Sequence, residues 1–137
     1  LLHSWGCEPS VCLAGLYHSV YGTNFYELQS FPLQRRQEIR GVIGAEAEEL
    51  VFLFCVADRP HALWDACQIR RVIDRLTGTS YPVSSDQAIA LIEIECANCL
   101  EQGLGWQFLE QARKAVRIQT IELRPSIAAA LAQVVDC

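Results

Sequence analysis

Residues 86–102 read DQAIALIEIECANCLEQ, and this stretch decides the fold because its pattern predicts one long helix. Ser84 or Ser85 precedes it as the N-cap, and Gly103 and Gly105 mark its end. Asn98 stands among apolar neighbours in this helix, and an amide that is buried there must be hydrogen-bonded. A chain organised around such an element is predicted to be mostly α-helical.

Shorter stretches on both sides of this helix carry a helical pattern as well. Two follow it, at 106–118 and 125–135. Before it, AEAEELVFLFCVADR at 45–59 has an acidic front, which suits the positive end of a helix dipole. QRRQEIRGVIG at 34–44 predicts a short helix that ends near its glycines. The sequence therefore predicts a set of helices around residues 86–102.

The N-terminal part of the chain begins with two further helical stretches. Residues 1–5 are predicted to be the tail of a helix that Gly6 closes. A second helix opens at Pro9, a residue favoured in the first turn, and its apolar side chains continue through Val20. Because its surface is almost continuously apolar, we expect this helix to be buried centrally.

Two segments lack the helical pattern. Residues 22–33 contain turn-forming residues without a clear period and predict an ordered loop with aromatic anchors, namely Phe25, Tyr26 and Phe31. IRRVIDRLTGTSYPV at 69–83 is rich in β-branched residues around a Thr-Gly step, which predicts a small β-hairpin. A helix that continues through Leu76 is the alternative for this second segment.

Composition limits the class of protein. The chain has 137 residues, 51% hydrophobic and 20% charged, which predicts one globular domain over 1–137. Its formal net charge of −5 argues against binding to nucleic acid or to an anionic membrane surface. No apolar run approaches the roughly 20 residues that span a bilayer, and no leader pattern opens the chain, so we expect a cytoplasmic protein. Because the chain contains no methionine, we expect it to be incomplete at its N-terminus.

Cysteines are unusually frequent, and there are seven of them. An odd number on helical patterns is not typical of a disulfide framework, so we expect buried free thiols. Cys96 and Cys99 form a CxxC pair inside the long helix, where a zinc site would need a second pair. Cys7 and Cys12 are poorly spaced for that role. Packing as small hydrophobic side chains is favoured over a structural zinc site.

The candidates for chemistry are dispersed along the chain, since GxSxG, GxxxxGK[ST], GxGxxG and HExxH motifs are all absent from the sequence. His18 lies in the apolar run AGLYHSVYGT at 14–23, Asp58 ends a second apolar helix, and His61 follows shortly after. An imidazole and a carboxylate at the ends of two core helices can converge on one metal ion or phosphate. The alternatives are a hydrogen-bonded core histidine and an Asp58 that pairs with Arg59.

The segment LLHSWGCEPSVCLAGLYHSVYGT at 1–23 resembles the helix-turn-helix that carries the paired His-Asp of HD-domain phosphohydrolases, such as the hydrolase half of bacterial stringent-response alarmone enzymes. VIGAEAEELVFLFCVADR at 42–59 resembles that family's helix ending at the last metal-binding position. The chain is more similar still to an uncharacterised bacterial family related to HD domains, which carries HSVYGT and a Cys-x-x-Asp-Arg ending. The resemblance implies an HD-like helical bundle and a bound divalent ion, Mn, Fe, Mg or Zn.

Carried over residue by residue, the resemblance makes His18 and Asp58 the metal ligands. Ser19 occupies the place of the aspartate in the His-Asp pair, and serine is a poor ligand for a divalent cation. Gly22 and Thr23 stand where the alarmone hydrolases have a Glu-Asp pair. The family's first histidine would lie upstream of this chain, so two ligands of the set are retained.

Basic residues near these positions are candidates for holding a phosphate. Arg35 and Arg36 lie on one short helix together with Arg40. His61 follows Asp58 closely, and Pro60 predicts that it lies in a turn. A solvent-exposed basic face is the alternative for the arginines. Asp58, His18 and these residues would then form one site for a phosphate ester or nucleotide.

Two functional hypotheses of different classes follow from the sequence. The first is a divergent metal-dependent phosphohydrolase, in which a metal lowers the pKa of a bound water. The second is a catalytically silent helical scaffold that binds a small molecule or forms a homo-oligomer. The residues found at positions 19, 22 and 23 favour the second hypothesis, and the two retained ligand positions favour the first.

Overall fold

The computed structural model describes residues 1–25 and 29–134, and within them the chain forms seven α-helices and one hairpin. In chain order the elements are α1 (Pro9–Tyr17), a 3₁₀-helix (Leu33–Arg35), α2 (Arg36–Ile43), α3 (Ala45–Val56), α4 (His61–Ile69), β1 (Arg71–Ile73), β2 (Ser80–Pro82), α5 (Ser85–Gln102), α6 (Trp106–Arg117) and α7 (Pro125–Val134). The prediction of a mostly α-helical fold with a small hairpin near 69–83 is confirmed.

The long helix α5 begins and ends where the sequence predicts. The hydroxyl of Ser84 accepts a hydrogen bond from the backbone N–H of Gln87, and the Gln87 side chain accepts one from the Ser84 N–H. This reciprocal capping box satisfies two donors that the first turn leaves free. Gly103 ends the helix at φ +65°, a left-handed conformation that costs glycine little. Most residues from Ala88 to Cys99 are buried.

The core lies between α3 and α5, because these two helices are buried on nearly all sides. Every residue of α3 from Leu50 to Val56 is buried. α1 and α2 pack against α3, and α4 and α6 pack against α5. α7 in turn packs against α6. Helices that are apolar all round occupy the centre of such an arrangement, as α3 and α5 do here.

The expected central position of the first full helix is wrong. α1 packs against α3 and α5 with one side only, and the side chain of Leu16 is 80% exposed. The helix ends at Tyr17 and not at Val20, because the chain continues into turns from His18 onwards. Residues 1–5 form hydrogen-bonded turns, in which Gly6 adopts φ +76°.

The prediction that His61 lies in a turn after Pro60 is wrong, because His61 is the first residue of α4. Proline instead precedes the first residue of α4, a position where a missing N–H costs no helical hydrogen bond. The helix ends at Arg70, which adopts a left-handed conformation. His61 is therefore an exposed helix N-terminal residue.

The segment that follows α4 is a hairpin, so its alternative as a helix through Leu76 is wrong. Val72 pairs with Tyr81 in an antiparallel register. The Asp74 carboxylate accepts hydrogen bonds from the N–H groups of Leu76 and Thr77, at 2.7 and 3.3 Å, which fixes the turn.

The predicted loop at 22–33 contains no helix in its described part before the 3₁₀-helix at its end. Phe31 packs on the core, whereas Phe25 is 70% exposed. Tyr26, the third predicted anchor, lies outside the described residues, as does Cys137. Across residues 1–25 and 29–134, none of the helices combines the length and apolarity that a membrane span needs.

Candidate functional site

The loop that follows α1 and the end of α3 meet in a buried polar cluster, here called the Arg59 cluster and made of Thr23, Asn24, Arg59 and Glu95. The Arg59 guanidinium forms an ion pair with Glu95 of α5, and their side chains are 3% and 7% exposed. It also donates a hydrogen bond to the Thr23 hydroxyl at 3.2 Å. Asn24 donates to the backbone carbonyl of Arg59 at 3.0 Å. The residues of the HSVYGT and Cys-x-x-Asp-Arg motifs therefore contact one another.

An aromatic ring completes the surroundings of this cluster. The Arg59 guanidinium carbon lies 4.1 Å from the centre of the Phe54 ring, at a distance typical of a cation–π contact. His18 touches the same ring edge-on, with ring centres 5.5 Å apart. Its Nδ1 lies 2.7 Å from the carbonyl oxygen of Gly15. His18 is thus a half-buried residue at the end of α1 with one ring nitrogen engaged by the backbone.

Asp58, the second predicted ligand, is exposed at the end of α3. Its carboxylate accepts a hydrogen bond from Asn24 at 3.2 Å. Within residues 1–25 and 29–134 there is no group of three or more His, Cys, Asp or Glu side chains arranged to hold a metal ion. Two protein ligands seldom hold a metal tightly, so the pair of His18 and Asp58 would need a ligand from elsewhere. The metal site stays a prediction.

The predicted phosphate-binding arginines are engaged with carboxylates. Arg35 pairs with Glu38 on the protein surface. Arg36 donates two hydrogen bonds to the fully buried Glu48, at 2.6 and 2.8 Å, and stacks on Phe52 with 3.6 Å between the guanidinium carbon and the ring centre. A bidentate pair of this kind fixes α2 on α3. The assignment of Arg35, Arg36 and His61 to a substrate stays a prediction.

Tyr21 and Arg40 complete the surroundings of the Glu48 carboxylate. The Tyr21 hydroxyl donates to it at 2.9 Å, and an Arg40 nitrogen lies 3.5 Å away. Burial and the hydrogen bond to Glu48 raise the pKa of the Tyr21 hydroxyl above its usual value. Arg40, expected on a basic face together with Arg35 and Arg36, therefore contributes to a structural ion pair.

The described cysteines are free thiols, as expected. Burial, followed by the charge of Glu95, raises the pKa of Cys99 to about 12, and the Cys99 thiol lies 3.6 Å from a Glu95 oxygen. Cys96 is fully buried on α5, and burial raises its pKa as well. Thiols with raised pKa values are poor nucleophiles and poor metal ligands at neutral pH. Asn98, in the same helix, is half-buried and accepts a hydrogen bond from Gln102 at 2.8 Å.

A large cavity lies along the N-terminal half of α5, and we call it the α5 cavity. Its volume is about 930 Å³. It is lined by residues of α1, α3, α4, α5 and the segment between α6 and α7, namely Glu8, Ser10, Val11, Glu46, Leu50, Cys67, Arg70, Ser84, Ser85, Asp86, Gln87, Ile89, Ala90, Glu93, Thr120, Ile121, Glu122 and Arg124. Its size lies in the range of pockets that hold small organic molecules.

One wall of the α5 cavity contains a second buried glutamate. Glu93 accepts a hydrogen bond from the Cys7 thiol at 2.9 Å, and the Nε of Arg124 lies 3.5 Å from the same carboxylate. Arg124 also lies 3.6 Å from Glu8. Burial, followed by the hydrogen bond to Glu93, raises the pKa of Cys7 to about 12. This wall therefore contains a buried carboxylate that contacts both a thiol and an arginine.

A smaller cavity of about 190 Å³ adjoins His18 and is lined by α1 and α5. Asn98 and Cys12 are among its lining residues. Of the two predicted metal ligands, His18 lines this cavity and Asp58 does not.

The sequence analysis missed the three buried glutamates, Glu48, Glu93 and Glu95. A signal was present in the run IEIEC, where two acidic residues alternate with residues of the core. A carboxylate buried in a helix that is apolar all round requires a cationic or hydrogen-bonding partner. Arg36 lies 12 residues from Glu48, and Arg59 lies 36 residues from Glu95, so local spacing does not reveal these partners.

Fold and site together define a mostly α-helical domain with a buried arginine–glutamate pair on one side of α5 and an open, charged cavity along the N-terminal half of α5. Residues 1–59 match the model of a family that is described as a domain of unknown function, DUF6817. No curated protein and no solved structure matches the chain.

Proposed function

We propose that this chain is a helical domain that binds a small organic molecule in the α5 cavity. The observation that carries the proposal is the cavity itself, which combines about 930 Å³ of space with apolar and polar walls. Pockets of this size with a few convergent polar groups are the usual form of a ligand site. The second hypothesis from the sequence, a scaffold for small-molecule binding, is the one that this geometry supports best.

Binding is favoured over hydrolysis by the residues around the cavity. Its described lining contains no histidine, and its one cysteine, Cys67, has a pKa raised by burial. The residues that the resemblance assigns to metal chemistry lie in the region of Phe54 and the end of α3, outside this lining. The polar groups at the family positions bind each other in the Arg59 cluster, which is the arrangement of a structural contact.

A pair of matched substitutions tests the proposal. Ile89 is half-buried and lines the cavity, whereas Ile118 is 66% exposed and does not. Ile89→Trp should fill part of the cavity, and Ile118→Trp adds the same side chain elsewhere. Fragments with an apolar ring and one polar group, screened by ligand-observed NMR, are expected to bind wild type and Ile118→Trp, and to lose most binding to Ile89→Trp.

A second variant, Ile121→Trp, also fills the cavity and serves as a control in case Ile89→Trp does not fold. Circular dichroism shows whether each variant is folded. The proposal fails if no fragment binds wild type, or if both filling variants bind as wild type does. Elemental analysis of the purified protein tests the competing hypothesis, a metal-dependent phosphohydrolase, by measuring bound metal. A stoichiometric metal that is lost in His18→Ala and in Asp58→Ala would favour hydrolysis.

A further inference from the structure

Arg124 lines the α5 cavity with a guanidinium group that donates no hydrogen bond within residues 1–25 and 29–134. Its Nε is buried and has no hydrogen-bond partner there, whereas part of the side chain is exposed. A guanidinium carries five N–H donors and no acceptor, and a buried donor without a partner is destabilising. The wall of the cavity therefore contains donors that an oxygen atom of a ligand can satisfy.

Two carboxylates hold this guanidinium without accepting a hydrogen bond from it. The Arg124 Nε lies 3.5 Å from Oε2 of Glu93, and a terminal nitrogen lies 3.6 Å from Oε1 of Glu8. Hydrogen bonds between charged groups are about 2.7–2.9 Å long, so both contacts are ion pairs only. The same oxygen of Glu93 accepts from the Cys7 thiol at 2.9 Å. The charge of Arg124 is thus compensated, but its hydrogen bonds are not.

The elements around the guanidinium are fixed. The Arg124 carbonyl oxygen accepts from the N–H groups of Ile127 and Ala128 in the first turn of α7, both at 3.0 Å. Glu93 lies on α5 and is buried. Only the end of the Arg124 side chain is therefore held loosely, and a rotation there turns the guanidinium towards an acceptor in the cavity.

The charges next to Arg124 decide whether that acceptor is charged. Glu8 and Glu93 already place two negative charges beside one guanidinium. An anionic ligand would add a third, and like charges at such distances repel one another. Arg70, the second arginine of the lining, donates to backbone carbonyls at the end of α4. A neutral oxygen accepts from Arg124 without this repulsion.

The apolar part of the lining suits the body of such a molecule. It includes Val11, Leu50 and Ile89, of which Val11 and Leu50 are buried. Removal of apolar surface from water is the main favourable contribution to the binding of such a body. The cavity therefore offers an apolar surface and a set of unused donors together.

We infer that the ligand of the α5 cavity is an uncharged organic molecule with a carbonyl oxygen, which accepts hydrogen bonds from the Arg124 guanidinium. Its apolar body covers Val11, Leu50 and Ile89. This inference rests on the proposed function, since it names the chemical class of the ligand for that same cavity.

Three probes that share a phenyl ring and a short alkyl chain test the end group. Phenylbutyramide has a neutral carbonyl, phenylbutyrate carries a negative charge on the same frame, and phenylbutylamine has no acceptor. Backbone NMR titration of the folded chain reports both their affinities and the residues that they touch. At about 0.15 M salt, the amide should bind at least about tenfold tighter than the butyrate or the amine.

Substitution of Arg124 tests the contact itself. Arg124→Met removes the donors and should weaken the amide about tenfold without weakening the amine. Arg124→Lys keeps the charge but not the planar group, so it should recover only part of this loss. Arg117→Met removes an exposed arginine that does not line the cavity, and it should leave all three affinities unchanged. In wild type, the Nε–H resonance of Arg124 should shift on addition of the amide and not of the amine.

The possible outcomes separate this inference from the proposed function. If folded Arg124→Met binds the amide as wild type does, or if the butyrate or the amine binds in the cavity as tightly as the amide, the inference is overturned and the binding function stands. If the amide binds both Ile89→Trp and Ile121→Trp as it binds wild type, its site is elsewhere and both are overturned. Loss of the amide in Arg124→Met and in the filling variants, with Arg117→Met unchanged, supports both.

Discussion

Glu93 and Glu95 are two residues apart on α5 and equally buried, yet they lie in different surroundings. Each residue is 5% exposed. Glu95 faces Arg59, whose side chain is 3% exposed, stacks on Phe54 and binds Thr23. Glu93 faces Arg124, whose side chain is 36% exposed and borders the α5 cavity. Because an α-helix has about 3.6 residues per turn, carboxylates two residues apart lie on nearly opposite faces of α5.

The difference shows that the partner decides the role of a buried carboxylate. A pair that is fully removed from water must stay intact, because either charge alone would be strongly destabilising there. A pair with one half-exposed member can be rearranged, because water replaces a lost contact. The Arg59 pair therefore fixes the fold, and the Arg124 pair forms part of the wall of the α5 cavity.

The largest expected effect is that of Arg59→Met. The substitution leaves Glu95 buried without its cation, and breaking such a pair costs about 3–5 kcal/mol in the free energy of unfolding. Urea unfolding followed by circular dichroism measures this change. If the free energy of unfolding falls by less than about 1 kcal/mol, the Arg59–Glu95 pair does not fix the fold as argued above.

The double variant Arg59→Met/Glu95→Met is the control for that prediction. It removes both charges and leaves apolar side chains of similar length, so it should regain a large part of the stability that Arg59→Met loses. If the double variant is no more stable than the single one, the cost comes from packing on Phe54 and not from the unpaired charge.

Alkaline pH should lower the stability of the fold through the thiols beside the two glutamates. The pKa values of Cys7 and Cys99 rise from 9.0 to about 12 in the folded chain, chiefly because of burial. The unfolded chain therefore ionises first, so this stabilising contribution is complete below about pH 9 and is lost as the pH rises towards 12.

Unfolding measured between pH 9 and 11 checks this sign. The free energy of unfolding of wild type should fall with pH, and that of Cys7→Ala/Cys99→Ala should fall less steeply. Equal slopes for the two chains would show that the thiols are not coupled to folding.

Local patterns were sufficient to predict most of the helices but not their burial. α1 and α3 are both rich in apolar residues, yet Leu16 of α1 is exposed and Leu53 of α3 is fully buried. The two leucines differ in exposure because α3 lies at the centre of the fold and α1 lies at its edge, and composition does not distinguish these positions. α4 was not predicted because proline usually interrupts a helix. Pro60 instead precedes the first turn of α4, where its missing N–H removes no helical hydrogen bond.

The site was predictable only in part, for a related reason. The patterns around His18 and Asp58 identified two segments that meet, since Asn24 contacts Asp58 and Thr23 contacts Arg59. The α5 cavity was not predicted, because it is built from five separate parts of the chain. Pairs such as Glu93 with Arg124 depend on the packing of distant helices, which no local spacing encodes.

A smaller effect is expected for Arg124→Met, the counterpart of Arg59→Met. Glu93 retains the hydrogen bond from the Cys7 thiol and gains water from the cavity, so the loss should be about 1–2 kcal/mol. The same urea experiment measures it. A loss as large as that of Arg59→Met would show that the two glutamates are equivalent and would remove the distinction drawn between them.

The smallest expected effect comes from Ser84→Ala, which alters the cavity end of α5 without changing a charge. The variant loses the side-chain cap on the Gln87 N–H, and loss of such a cap costs about 1 kcal/mol. Ser84→Asp restores an acceptor and should recover the loss, whereas Ser85→Ala changes a residue with no capping bond. If Ser84→Ala unfolds at the same urea concentration as wild type, the cap contributes no measurable stability to the cavity side of α5, and the prediction is wrong.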